Sequence, residues 1–382
     1  MLLVLPMLFM SVFNTIYAPV SCCPPPPPVM EHREEGEVKI QVALLLDTSN
    51  SMDGLIDQAK SQLWKMVNKL ADATRQNRQV TLEIALYEYG KSSLDRSSGY
   101  LQQIQPLKSD LDGLSEKLFA LRTNGGDEYC GWVIQASLDE LPWSSHPDDL
   151  HLIIIAGNEP FDQGRVNYRT SCENATQKDI IVNTIYCGDW EEGRQTHWSD
   201  CAQIAKGKYM NINTDLKVKH IPTPYDSTLL RLNSELNNTY MGYGSKGESM
   251  KMRQMEQDEN AASYGSANVA QRALAKSKKS YQNDDWDVVD AWVKDSTAIV
   301  KMKEEEMPQQ LKGVAKSDRA AYIGALYEKR KTLQRQMADL QINIDAFVAE
   351  ARKKENAGLT LDNVLIEALV EQARRKGLDF PN

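Results

Sequence analysis

The sequence has few histidines and more acidic than basic residues. It contains 5 histidines, and 53 aspartates and glutamates outnumber 44 lysines and arginines, giving a formal net charge of -9. A nucleic-acid-binding surface needs clustered basic side chains to neutralise phosphates. No zinc-finger, RNA-binding or basic-zipper signature occurs either. We therefore expect no nucleic-acid partner.

Motifs that mark common enzyme classes are also missing. No H-E-x-x-H, G-x-S-x-G or P-loop sequence occurs. The histidines are scattered along the chain, with no pair at helical spacing, and no C-x-x-C is present. Neither a zinc centre nor a histidine-based catalytic site is indicated. We expect a protein that is not an enzyme.

The chain has no apolar run long enough to span a membrane. Its first residues are uncharged and largely apolar, but Pro6 interrupts them. An export signal over residues 1–21 is the better interpretation, although the usual basic start is missing. Cys22 follows small residues and is a candidate for lipid attachment, with simple signal cleavage as the alternative. We expect an exported protein of the periplasm or cell envelope, contacting membrane only through this signal or a lipid anchor.

A proline-rich linker is predicted over residues 22–36. Five consecutive prolines, Pro24 to Pro28, favour the extended polyproline II conformation. Such a segment is a stiff spacer, and the folded part of the chain is expected to begin near Val38.

Four of the six cysteines fall within one stretch of the folded part: Cys130, Cys172, Cys187 and Cys201. An even number in an exported protein indicates two disulfides, and four cysteines allow three pairings. We slightly favour Cys187 with Cys201, because both should lie near one sheet edge. A fully reduced set is the alternative.

The region 37–215 alternates β-rich apolar runs with amphipathic helices. "VKIQVALLLD" and "LHLIIIAG" are nearly continuous apolar runs, which is typical of central parallel strands buried on both faces. This alternation predicts an α/β fold with a doubly wound, mostly parallel sheet. In such sheets ligands bind beyond the carboxyl ends of the strands.

Strand signals vanish in the remainder, and 222–382 is predicted to be all helical. A coiled-coil-like helix is expected near 317–356, where apolar residues recur every seven positions. They are Leu326, Leu333, Leu340 and Phe347. Arg330 interrupts the second apolar line, formed further on by Met337 and Ile344. This helix is expected to pack back on the chain or to dimerise.

The first apolar run ends in "DTSNSM", which places Asp47, Ser49 and Ser51 at alternate positions. Three oxygens spaced this way between a strand and a helix can face one centre, and they suit magnesium, manganese or calcium rather than zinc. The alternative is that Ser51 caps the following helix while Asp47 and Ser49 bond the local backbone.

Asp-x-Ser-x-Ser after a hydrophobic first strand, in this order of elements, resembles the von Willebrand factor A (vWA) domain and its metal-ion-dependent adhesion site. The resemblance covers about residues 38–215. It implies that Ser49 and Ser51 bind the ion directly and that Asp47 does so through water.

Two further loops would complete the site by the same resemblance. "LRTNGGDEYCG" places Asp127 where the family has threonine, with Thr123 as the alternative ligand. "IIIAGNEPFDQG" places Gly157 where the family has aspartate, so Asn158 and Glu159 are the nearest oxygen donors.

The resemblance also implies a function. In the vWA family the ion accepts a carboxylate from a partner protein, so a divalent cation and a carboxylate-bearing protein partner are expected. The C-terminal helices resemble the extensions of bacterial envelope proteins that carry such a domain. The competing hypothesis is a scaffold protein with a metal-free vWA domain that associates through these helices.

Overall fold

The first half of the chain builds a six-stranded sheet. The computed structural model describes residues 38–76, 78–212, 221–297, 302–354 and 361–380. The predicted export signal, the linker and Cys22 lie outside this range. The strands are β1 (Lys39–Asp47), the short pair β2 (Thr74–Arg75) and β3 (Arg78–Gln79), β4 (Thr81–Tyr89), β5 (Leu101–Lys108), β6 (Leu150–Gly157), β7 (Ile180–Cys187) and β8 (Tyr209–Ile212).

The order of strands in the large sheet is β5-β4-β1-β6-β7-β8. All neighbours are parallel except β5, which runs antiparallel to β4 at the edge. β1 lies centrally, and its alternate residues pack into different cores on the two faces of the sheet. The predicted α/β, mostly parallel sheet is confirmed.

Helices cover both faces of this sheet. Those among or just after the strands are α1 (Asp53–Ala71), α2 (Leu111–Ala120), α3 (Cys130–Glu140), α4 (Tyr168–Gln177), α5 (Trp190–Gln195) and α6 (Trp198–Ile204). Those of the C-terminal region are α7 (Asp226–Asn237), α8 (Gly247–Ser263), α9 (Ser266–Ser277), α10 (Val288–Lys294), α11 (Lys316–Lys354) and α12 (Leu361–Arg375). None of the helices in the described ranges is both long and apolar enough to cross a bilayer.

The C-terminal helices share one core with the sheet. Buried residues of α7, α9, α11 and α12 belong to the same apolar cluster as the residues of β1 and α1. Arg272 of α9 is fully buried, stacks on Trp64 of α1, and pairs with Asp112 of α2 (2.8 Å) and Asp258 of α8 (2.7 Å). Lys276 balances the second carboxylate by pairing with Asp258 at 2.7 Å. A charge-balanced, buried ionic network therefore joins the two parts of the chain.

The long helix α11 is present as predicted, and it crosses several helices of its own chain. Leu333, Met337 and Ile344 are buried, and the helix packs on α7, α9 and α10. Arg330, the residue that breaks the apolar line, pairs with Asp287 (2.8 Å) and Asp290 (2.5 Å) at α10.

The last helix, α12, closes the sheet face beside α1. Its Gln372 exchanges two hydrogen bonds with Asn183 of β7, at 3.0 and 2.7 Å, and both side chains are buried. Just beyond the helix, Asp379 pairs with Thr74 through two 2.8 Å backbone bonds. Residues 189 positions apart thus meet in the core that α12 completes.

Replacing Gln372 tests this closure. Gln372→Met keeps the side-chain volume but leaves the buried Asn183 Nδ2 without its hydrogen-bond acceptor. We expect the free energy of unfolding in urea to fall by about 1–3 kcal/mol. The neighbouring Glu371→Gln removes only exposed ion pairs, to Lys208 and Arg375, and should change the free energy of unfolding by less than about 0.5 kcal/mol. Equal stabilities of the two variants would contradict the closing role of α12.

Asp290 provides a test by pH. Burial raises its pKa from 3.8 to about 6, the Asp287 carboxylate adds to the increase, and Arg330 opposes it. Because the folded-state pKa lies above the unfolded one, this group's stabilising contribution is complete below pH 3.8 and is lost as the pH rises through 6. Asp290→Asn should remove this loss and stabilise the protein at pH 7 by about 1–3 kcal/mol.

Urea unfolding at pH 4 to 8 measures this effect, with the exposed Asp139→Asn as the matched control. An Asp290→Asn curve parallel to that of the wild type across this range would show that Asp290 does not titrate with a raised pKa.

Candidate functional site

The Asp47–Ser51 segment turns sharply from the end of β1 into α1. Asp47 is the last residue of β1, and its Oδ1 accepts a 2.7 Å hydrogen bond from the Ser49 backbone N–H. A single 3₁₀ turn, Asn50–Met52, then leads into the helix. No side-chain hydrogen bond caps either the 3₁₀ turn or α1. Ser51 therefore does not cap the helix, although Asp47 does bond the local backbone, as the alternative interpretation also expected.

The two serine hydroxyls instead face each other and the neighbouring loop. Ser49 Oγ and Ser51 Oγ lie 3.4 Å apart, and Ser51 Oγ donates to Asn158 Oδ1 at 3.4 Å. Asn158 follows β6, the strand next to β1 in the sheet. Parallel neighbouring strands thus bring three side-chain oxygens together at one edge, as expected for this class of sheet.

Asp47 is the buried charge of this group. Its side chain is 0% exposed, and its Oδ2 makes no hydrogen bond of good geometry, although the Asn158 backbone N–H lies near enough to the carboxylate to lower its pKa. Burial raises the pKa of Asp47 to about 7; the Ser49 hydrogen bonds oppose this increase and the charge of Glu159 adds to it. A buried carboxylate oxygen without a partner is costly. A bound cation would offset that cost.

Glu159 lies close enough to act on Asp47 electrostatically, but other groups hold it. Its Oε2 accepts a hydrogen bond from Gln163 Nε2 at 3.0 Å. Its backbone carbonyl accepts one from Trp198 Nε1 at 2.8 Å. Glu159 therefore lies at the side of the site, with its second carboxylate oxygen left for a cation or water.

The two predicted ligands in the loop after α2 bond to other groups of the protein. Thr123 donates its hydroxyl proton to Asp53 Oδ1 in the first turn of α1. Asp127 is exposed, and its Oδ2 accepts from the Tyr129 hydroxyl at 3.1 Å. The next residue, Glu128, is buried and was not among the residues selected from the sequence.

Gly157, at the position where the family has aspartate, has no space for a side chain. A Cβ there would lie 2.6 Å from the Tyr89 hydroxyl and 3.1 Å from both Asp47 Oδ2 and the Trp198 ring. The Tyr89 hydroxyl is fixed by a 2.9 Å hydrogen bond to the Ala156 carbonyl. Tyr89 and Trp198 thus fill the space that a carboxylate would need. Sequence spacing could not reveal this, since both residues come from other elements.

The donor set fits a hard cation that keeps some water ligands. All candidate donors are carboxylate, hydroxyl or amide oxygens, which magnesium, manganese and calcium prefer. Across the described part of the chain, no three His, Cys, Asp or Glu side chains cluster closely enough to hold a metal ion by themselves. A cation here therefore depends on Ser49, Ser51 and Asn158 as well as on Asp47.

The cysteines pair differently from the favoured expectation. Cys201 of α6 bonds to Cys172 of α4 and not to Cys187, because α6 packs on α4 and turns its cysteine toward that helix. Cys130 and Cys187 are free thiols, and both are buried beside the site. Burial raises the pKa of each thiol, and the charge of Asp47 adds to the increase. Both are therefore held as neutral thiols.

The sheet order, the helices on both faces and the Asp-x-Ser-x-Ser turn at the end of the central strand define a vWA-type fold. No family model matches the sequence, and comparison with curated proteins finds no match either.

Solved structures with this fold are similar to part of the chain. An aerotolerance-related membrane protein from Bacteroides fragilis is 14% identical over 46% of this chain and 92% of its own, with a TM-score of 0.31. The VWA domain of SpRpn10 is 14% identical over 47% and 90%, with a TM-score of 0.36. The protein BatB from Bacteroides thetaiotaomicron is 12% identical over 58% and 99%, with a TM-score of 0.35. At such scores the assignment of the fold rests on the sheet itself.

A double-mutant cycle tests the packing around Gly157. Gly157→Ala forces a methyl group against the Tyr89 hydroxyl and should lower the free energy of unfolding by about 1–3 kcal/mol. In a Tyr89→Phe background the 2.6 Å contact is absent, so the same substitution should cost clearly less. Urea unfolding of the four proteins gives the coupling energy. An unchanged cost in the Tyr89→Phe background would show that Tyr89 does not close this position.

Proposed function

We propose that this chain is an exported protein-binding module of the cell envelope that uses a divalent cation. The cation is magnesium, manganese or calcium, held by Asp47, Ser49, Ser51, Asn158 and Glu159. A carboxylate of the partner protein completes its coordination. One observation carries this proposal: the fully buried Asp47 carboxylate has an oxygen that makes no hydrogen bond of good geometry, directly beside two facing serine hydroxyls.

In the proposed site, Asp47 supplies the charge and neighbouring groups fix its position. Asp47 supplies a negative charge in a buried place, which strengthens its attraction for a cation relative to an exposed carboxylate. The Ser49 N–H fixes that carboxylate at 2.7 Å. Ser51 is exposed, so the ion would be reached from solvent on the side of its hydroxyl. The cation would supply the positive charge that a partner carboxylate binds.

The proposal includes no catalytic step. A cation that bridges two proteins requires neither a nucleophile nor a general base. His151, the buried histidine of β6, has its pKa lowered by burial, and it sits near the start of a strand whose opposite end carries the site. We therefore propose a binding protein and not an enzyme.

The proposed location rests on the predicted export signal and on the disulfide. Cys172–Cys201 is a bond that forms and persists in oxidising compartments such as the periplasm. Lipid attachment at Cys22 would hold the folded part at a membrane surface through the proline-rich spacer.

The second candidate is a metal-free scaffold that associates through its helices. Its support is that α11 exposes two large apolar side chains, Ile342 (69% exposed) and Phe347 (40% exposed). Against it, other seam residues of the same helix are already buried within the chain. We therefore rank it below the cation-dependent module.

Cation titration separates the two candidates. Calorimetry with MnCl2 and with MgCl2 is expected to give a saturable binding heat for wild type. The pair of substitutions Ser49→Ala and Ser51→Ala removes two neutral oxygen donors and should weaken binding at least about tenfold. The control is Ser97→Ala, which removes an exposed hydroxyl that bonds only to Asp95 in another 3₁₀ turn; this variant should bind as wild type does. Absence of any metal-dependent heat in the wild type would remove the cation from the proposal.

A pull-down from an envelope extract then tests the partner. Proteins retained by wild type in the presence of Mg²⁺ should be lost with chelator, and also with the double serine variant. If the same proteins are retained in the presence of chelator and by the double serine variant, the metal-free scaffold is favoured.

A further inference from the structure

His151 is a buried histidine at the end of the sheet opposite the candidate site. It is the second residue of β6, and 3% of its surface is exposed. Neither ring nitrogen makes a hydrogen bond of good geometry, although the Asp179 backbone lies near enough to raise the pKa of the ring. The Trp143 ring meets the imidazole edge-on, with the two centroids 5.8 Å apart. A neutral imidazole is stable in such a place, whereas an imidazolium loses its hydration there.

The end of α12 is fixed beside this histidine by one lysine. Lys376, the residue after α12, donates to the Pro147 carbonyl at 3.2 Å and pairs with the Asp179 carboxylate. Asp179 has a left-handed backbone conformation, with φ at +57°, in the turn between α4 and β7. The Lys376 side chain therefore connects the end of α12 to the loops that precede β6 and β7.

Three charged groups from different segments act on the His151 ring: Asp149 before β6, Asp179 before β7 and Lys376 after α12. Gln41 of β1, the register neighbour of His151, is uncharged. Burial is the main reason why the pKa of His151 is lowered. Asp149 opposes this decrease, Lys376 adds to it, and Asp179 opposes it. The ring is therefore neutral at pH 7, where Lys376 is the cation that binds the Asp179 carboxylate.

We propose that protonation of His151 releases the end of α12 from the sheet. An imidazolium at this position repels the Lys376 ammonium and competes with it for the Asp179 carboxylate. Hydration of the new charge also requires the loops before β6 and β7 to open. This acid-sensitive closure lies at the opposite end of β6 from the cation site, so it does not depend on the proposed function.

The direction of the pH dependence follows from the burial of the ring. The folded-state pKa of His151 lies below its usual value of 6.5. The opened state therefore binds the proton more tightly than the closed state does. The contribution of this group to stability is complete above pH 6.5, and it is lost as the pH falls from 6.5 toward the lower folded-state pKa.

Hydrogen exchange of the full chain at pH 5.0 and 7.5 tests the proposal, with rates corrected for the pH dependence of intrinsic exchange. In the wild type, residues 368–378 should lose protection at least about threefold relative to α2 when the pH is lowered. In His151→Phe, which keeps an uncharged ring, this loss should disappear. The control His197→Asn replaces an exposed histidine whose left-handed conformation asparagine accepts. It should behave as wild type does.

A further variant tests the competition for Asp179. Lys376→Met removes the connection itself, so residues 368–378 should be poorly protected at both pH values and the loss on acidification should be small. His151→Phe and Lys376→Met thus both remove the pH dependence, but only His151→Phe keeps the protection. His151→Gln, which is also uncharged, gives the same test if phenylalanine does not fit, and circular dichroism identifies the folded variants.

The outcomes decide the role of His151. Equal protection of residues 368–378 in wild type at the two pH values would overturn the proposal. A loss of protection that persists in both folded uncharged variants would assign the pH dependence to another group and would overturn it as well. If Lys376→Met keeps the full loss on acidification, the protonated ring does not act through Lys376, and the proposed release mechanism is wrong.

Discussion

Asp47 ends the central strand with its side chain fully buried, and much of the surrounding structure is arranged around that one charge. The strand must be apolar because helices cover it on both faces, yet its last residue is a carboxylate. The Ser49 N–H binds one of its oxygens, while Gly90 and Gly157 lack the side chains that would collide with it. The buried side chains of Tyr89 and Trp198 exclude water from the side of the Asp47 carboxylate next to Gly157. On the remaining side lie the two serine hydroxyls, 3.4 Å apart, of which Ser51 is exposed.

The local pattern around Asp47 could be predicted because it depends on neighbours in the chain. A strand end followed by alternate oxygen donors places those donors on one side of a turn. Which side chains the other loops direct toward Asp47 depends on residues that are far from it in the sequence. "GGDE" contains two adjacent acids, and only the hydrogen bonds of Asn124 and Ser92 decide which one faces inward. No spacing rule encodes the rings that fill the space beside Gly157.

For the fold, too, local features could be predicted from the sequence and long-range contacts could not. Apolar runs and their alternation with helices predicted the sheet, because strand period and burial on both faces are properties of short segments. The positions of the C-terminal helices could not be derived, since an amphipathic face does not identify its partner. Arg330 illustrates the point: in the heptad pattern it weakens an apolar seam, whereas in the structure its guanidinium binds two carboxylates and lies 3.8 Å from the Tyr240 ring centroid.

The position of helix α12 near the end of the sequence affects how the protein folds while it is being synthesised. The core of the sheet needs Gln372 against Asn183, and those residues are 189 positions apart. A ribosome therefore finishes every strand well before it makes the helix that covers them. During that interval one face of the sheet lacks its cover, which is the situation in which nascent chains aggregate or recruit chaperones.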